Sequence, residues 1–109
     1  IYATICGVGG ATGPASLLQS ASDPDALTRA LGQALHRAYR DAENVDPISV
    51  GLVECSGLAA LAEAESRALQ SFFPAWSPAG GRALASTLPQ IGWAGAASGL
   101  LSLAKAALC

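Results

Sequence analysis

The sequence predicts an α/β domain, built as strand, helix, strand, helix, strand, helix. Three observations predict it. The opening Ile1–Cys6 is rich in β-branched and aromatic residues and is bounded by glycine. Residues 24–42 repeat apolar side chains at helical spacing after a clear start signal. The last third, Ala85 to Cys109, reads as a short strand, a glycine turn and a helix of small and aliphatic residues. Strands alternating with helices argue a sheet covered by helices.

Taken in order, Ile1–Cys6 is the first expected strand. Gly7–Pro14 is a glycine-rich loop, and residues 15–21 hold a short helical turn. Asp23 caps the first long helix, Pro24 suits its first position and Asp25 complements its dipole. Leu27, Ala30, Leu31, Ala34, Leu35 and Ala38 form one face of it; Arg29, Arg37, Arg40 and Asp41 lie mostly on the other. Glu43–Pro47 is a polar break. Ile48–Cys55 is the second strand, without clean alternation, as in a strand covered on both faces. Ser56-Gly57 ends it, and a second helix runs from about residue 58 to 73. Pro74–Arg82, with two prolines and two glycines, is a loop before the third strand at about Ala83. Only Ser98, Ser102 and Lys105 interrupt the closing helix, so it reads as apolar on all sides and in need of a larger core.

Composition narrows the function. The 109 residues make one domain at most, 51% apolar and only 13% charged, where an average domain has about 25% charged. Such a surface argues a segment of something larger or an obligate subunit. A net charge of −2 is not that of a nucleic-acid surface. The chain starts in a strand pattern with no basic leader. The apolar run Leu100–Cys109 is too short for a bilayer, which needs about 20 residues. Cys6, Cys55 and Cys109 form neither a disulfide framework nor a metal pair and read as small hydrophobes of a reducing cytoplasm.

Candidate chemistry is sparse. Gly7-Val8-Gly9-Gly10-Ala11-Thr12-Gly13 has the look of a phosphate-cradling loop. No helix opens from its glycines, so a plain loop is the simpler reading and a small nucleotide-binding α/β domain the alternative. His36, the sole histidine, sits mid-helix near Arg37 and Arg40 with no group to make it a base. Glu63 and Arg67 are spaced for an i,i+4 ion pair, whereas Glu63 and Glu65 do not share a face. No serine has a histidine partner nearby, so no activated nucleophile is offered.

Val53-Glu54-Cys55-Ser56-Gly57, then Glu65-Ser66-Arg67-Ala68-Leu69, then Gln90-Ile91-Gly92-Trp93 and Ala96-Ala97-Ser98-Gly99 resemble the C-terminal half of a β-ketoacyl synthase. Ile1–Ile5 resembles the first strand of that half, and the resemblance covers essentially the whole chain. It implies the thiolase fold: the C-terminal βαβαβα half of a five-layered α/β sandwich, here lacking its last strands. The family's motifs are Glu-Ala-His-Gly-Thr, with a Glu in the following helix, and Lys-Ser-Asn-Ile-Gly-His before a small-residue helix. Lys105 falls where that helix carries a lysine.

The departures from the family lie at its chemistry. Position by position, its two catalytic histidines become Ser56 and Trp93, its motif lysine becomes Leu88 and its asparagine Gln90. Serine supplies no imidazole near neutral pH. Trp93 donates one N–H without exchanging a proton, and its ring is expected to fill the vacated pocket. The Cys-bearing half lies outside this chain, and Cys55 does not replace its nucleophile. This pattern resembles the chain-length factor, the degenerate ketosynthase of bacterial polyunsaturated fatty acid and polyketide synthases. The resemblance implies a non-catalytic, cytoplasmic segment that pairs with an active ketosynthase and shapes the acyl tunnel and product length. It implies no directly bound cofactor and no metal, with acyl chains arriving on the phosphopantetheine of an acyl carrier protein. A divergent but active β-ketoacyl synthase or thiolase-fold acyltransferase is the other reading of the same resemblance.

Overall fold

The computed structural model describes residues 3–13, 22–73 and 81–109. Its elements are α1 (Pro24–Asp41), β1 (Leu52–Glu54), α2 (Ala59–Phe72), β2 (Ala83–Ala85), α3 (Leu88–Ile91) and α4 (Ser98–Leu108). Single 3-10 turns occupy Pro47–Ser49 and Gly95–Ala97.

Helix α1 starts and ends where its sequence signals place it. The Asp23 carboxylate accepts from Ala26 N at 2.9 Å, which satisfies one of the free donors of the first turn and is worth about 1 kcal/mol. At its end Ala42 N donates to Ala38 O at 2.9 Å, and Asn44 takes a positive φ of 67° as the chain turns away. Helix α2 lies against α1, and the contact is lined by small residues. Ala30, Ala64 and Ala68 are buried, with Leu69 and Phe73 beside them. Phe72 stacks against Tyr39 and Phe73 with ring centroids 4.9 and 5.1 Å apart, and the Arg82 guanidinium lies 5.2 Å from the Phe73 ring centroid. Burial in this cluster raises the Tyr39 pKa, and the nearby Arg82 charge opposes it.

The strands β1 and β2 are parallel, with Leu52, Val53 and Glu54 opposite Ala83, Leu84 and Ala85. The ladder is extended by Ala83 N to Gly51 O at 2.7 Å and Cys55 N to Ala85 O at 2.8 Å. Helix α2 is the crossover between them, as parallel pairing demands.

Four expectations are corrected. Residues 3–6 form no strand. The segment 3–13 instead lies along α1: a Cβ on Gly7 would meet Ala38 O at 2.2 Å, and one on Gly9 would meet Ala34 O at 1.9 Å. Val8 N donates to Asp41 Oδ2 at 3.4 Å and Arg37 donates to Gly10 O, so side chains of α1 take the place of a strand partner. The second strand is only Leu52–Glu54, because Asp46 caps Ile48 N and Pro47 opens a 3-10 turn in place of its first residues. The stretch after β2 turns helical at Leu88–Ile91, where Pro89 sits in the first turn and cannot donate to a ladder. Helix α4 is not apolar on all sides. Ser98, Ser102 and Lys105 are spaced i, i+4 and i+7 and are half-buried, while Leu100, Leu103 and Leu108 are 70, 49 and 78% exposed. The turn expected over 15–21, Ile1 and Tyr2 of the first strand, and residues 74–80 of the loop lie outside the described residues.

Candidate functional site: a hydroxyl-lined cavity at the end of the sheet

Ser56 and the pair Leu88 and Trp93 come from two separate stretches of chain, and the fold brings them to the wall of one cavity of about 300 Å³. β1 delivers Ser56 at its C-terminal end, the usual side for sites in parallel sheets. Gly57 allows the turn there: its φ is +74°, and a Cβ would lie 2.2 Å from Ser86 Oγ. α3 carries Leu88, and Gly92 at φ 74° turns the chain from α3 into Trp93. The start of α4 closes the far side with Ser98 and Ser102.

Hydrogen bonds hold this frame. Ser56 N donates to Glu65 Oε1 at 3.0 Å, tying the end of β1 to α2. Ser56 Oγ accepts from Leu58 N at 3.2 Å, and Ser86 Oγ accepts from Leu88 N at 3.1 Å. Thr87 Oγ1 and Ser102 Oγ are 3.4 Å apart, and Ser98 Oγ accepts from Ala94 N at 3.2 Å. Lys105 Nζ lies 3.3 Å from Glu54 Oε2 and donates to Glu54 Oε1 at 3.4 Å and Ser86 O at 3.1 Å. Only Oε1 meets hydrogen-bond geometry; Oε2 is held by charge alone.

Trp93 does not fill the site. The residue is 51% exposed and lines the cavity without closing it. Gln90 is exposed and is not part of the wall. Cys55 does line the cavity, but burial first, then the Glu65 and Glu54 charges, push its thiol up to about 11. At neutral pH it is protonated and no nucleophile. His36 is exposed on α1, edge-on to Phe72 with centroids 4.9 Å apart, and contributes nothing here. Among the described residues no group of three potential metal ligands exists.

The Gly7–Gly13 loop faces the flank of α1, not a helix N-terminus, and the start of α1 is already occupied by the Asp23 carboxylate. Among the described residues the loop therefore meets no helix N-terminus of the kind that holds a phosphate. Glu63 and Arg67 form the expected pair, and Arg67 also reaches Asp25 on α1 at 2.7 Å. The hydroxyls of Thr87, Ser98 and Ser102 were not foreseen as site residues. The signal that finds Ser98 and Ser102 is their i,i+4 spacing, which puts both on one helix face.

Residues 2–109 match the family model of the beta-ketoacyl synthase C-terminal domain. The chain belongs to this family, and its mixed helices and small parallel sheet agree with the thiolase-like α/β fold that membership implies. No curated protein and no solved structure matches the chain significantly. Among the described residues no helix is long and apolar enough to cross a membrane.

Proposed function

We propose that the chain is a non-catalytic ketosynthase-like segment of the chain-length-factor kind, working beside an active ketosynthase. The observation that carries this reading is the wall of the cavity. Ser56, Leu88 and Trp93, which the resemblance matches to the family's two histidines and lysine, line one cavity, and the sole histidine of the chain is elsewhere. A decarboxylating site needs donors that stabilise a developing negative charge. Serine hydroxyls and an indole rim offer hydrogen bonds without a proton-exchanging group near neutral pH. Glu54 and Lys105 keep the frame intact around them. The retained scaffold then serves to pair with the active partner, in the cytoplasm, and to shape the tunnel for acyl chains carried on phosphopantetheine by an acyl carrier protein. Fatty acid or polyketide synthesis, including polyunsaturated products, is the setting.

The test uses the intact protein that carries this segment. Mixed with an active ketosynthase and malonyl-loaded carrier protein, it forms a complex and changes the product-length distribution; by itself it releases no carbon dioxide from the malonyl unit. Decarboxylation by the intact protein that is lost when Ser56 or Trp93 is changed overturns the reading in favour of a divergent active synthase.

A further inference from the structure

We propose that the cavity between β1, α3 and the start of α4 binds an uncharged hydroxyl or keto oxygen carried on an acyl chain and turns away a carboxylate. This deepens the reading above and rests on it for the acyl thioester as ligand class.

The first argument is an inventory of donors. Ser56 Oγ and Ser98 Oγ each accept a backbone N–H, at 3.2 Å in both cases, and neither hydroxyl proton has an acceptor among the described residues. Thr87 and Ser102 share one hydrogen bond, so one of their two protons is also unused. Three unused hydroxyl protons therefore belong to residues that line one cavity, and each hydroxyl also keeps acceptor capacity. A hydroxyl or a ketone on a chain can complete these bonds. A bare hydrocarbon would leave them without partners, at a loss of affinity.

The second argument is charge. Glu54 lines the same cavity, its side chain is only 8% exposed, and Lys105 is held by it and by Ser86 O. Among the described residues no Lys, Arg or His lines the cavity. A carboxylate entering would be desolvated beside a carboxylate and without a free cation, which is strongly unfavourable. The start of α4 adds partial positive charge, enough to favour a dipole's oxygen but not to replace an ion partner.

The third is access. The rim is formed by the half-exposed Trp93, and about 300 Å³ accommodates a short oxygenated acyl group.

The experiment is equilibrium binding, by calorimetry on the intact protein, of three N-acetylcysteamine thioesters: 3-hydroxybutyryl, butyryl and malonyl. The expected order is 3-hydroxybutyryl tightest, by about tenfold over butyryl, with malonyl weakest. Ser98→Ala with Ser102→Ala reduces the preference, and so does Ser56→Ala. Circular dichroism and the denaturant midpoint verify that each variant is folded, and the Ser56→Ala result stands alone if the double variant is not. Equal binding of 3-hydroxybutyryl and butyryl, malonyl binding as tight as either, or no saturable binding of any overturns the proposal. So does a preference left unchanged by the substitutions. Complex formation with a ketosynthase is scored separately, so a failure here leaves that pairing intact.

Discussion

Lys105 Nζ sits 3.3 Å from Glu54 Oε2, with the Ser86 carbonyl 3.1 Å away, so one ammonium group ties α4 to the ends of both strands. Glu54 is nearly fully buried and Lys105 is 29% exposed, so removing the cation strands a charge. Lys105→Met is expected to destabilise the intact protein by about 3 kcal/mol, in the range for breaking a buried pair. Glu54→Gln with Lys105→Met should recover part of that loss. Urea denaturation of Lys105→Met, Glu54→Gln and the double variant measures it, and additive losses in the double variant would show that the two groups are not coupled.

Cys55 should behave unlike the other two thiols. Cys6 and Cys109 are exposed, whereas the Cys55 thiol is pushed up to about 11 by burial and by Glu65 and Glu54. Iodoacetamide at pH 8 is therefore expected to label the exposed Cys6 and Cys109 first, with Cys55 at least about tenfold slower, since burial shields it and its raised pKa cuts its own thiolate fraction. Peptide mass spectrometry over time reads this directly. The pH dependence has a definite sign. The folded state holds the proton more tightly than the unfolded one, whose ordinary value is 9.0. The stabilisation is complete below pH 9 and is lost as pH rises towards 11. Cys55→Ala should flatten that part of the stability curve.

The glycine segment offers a paired control. Gly9→Ala places a Cβ 1.9 Å from Ala34 O, a backbone atom that cannot step aside, while Gly10→Ala meets nothing within 4 Å. The first substitution should cost about 1–3 kcal/mol through overpacking, and the second should change stability by less than about 1 kcal/mol. Thermal melts of the two variants separate them. Equal effects would mean that the segment does not lie on α1.

The bridge from α2 to α1 is expected to matter little. Arg67 joins Glu63 and Asp25, but its side chain is 49% exposed and theirs 61 and 71%. Arg67→Ala should cost no more than about 1 kcal/mol, and less in 0.5 M salt. Denaturation at two ionic strengths checks both statements.

Much of this was legible in the sequence because local signals and tertiary demands agree there. Asp23-Pro24-Asp25 and the repeat from Leu27 to Ala38 announce α1, and the observed helix ends within a residue of the reading. Helix α2 and the start of β2 follow the same way. Ile1–Cys6 failed on its described part because β propensity reports a fit to a pleated surface, and the surface nearest residues 3–13 is a helix flank that only glycine can approach. Ser56, Leu88 and Trp93 were named from a motif, and the motif carried their shared location. It did not carry the posture of the Trp93 ring, which depends on the positive φ of Gly92 and the turn at Gly95. The Glu54–Lys105 contact spans 51 positions of sequence, and no local pattern announces it.

Helix α4 inverts the usual map of mutational tolerance. Its hydroxyls and its lysine face the strands, and its leucines face away from them. A hydropathy profile would rank Leu100, Leu103 and Leu108 as the positions this segment can least afford to change. The packing ranks them last for the segment's own stability, and ranks Ser102 and Lys105 first. Selection acting on those leucines, wherever it is found, would be acting on something other than the folding of the described residues.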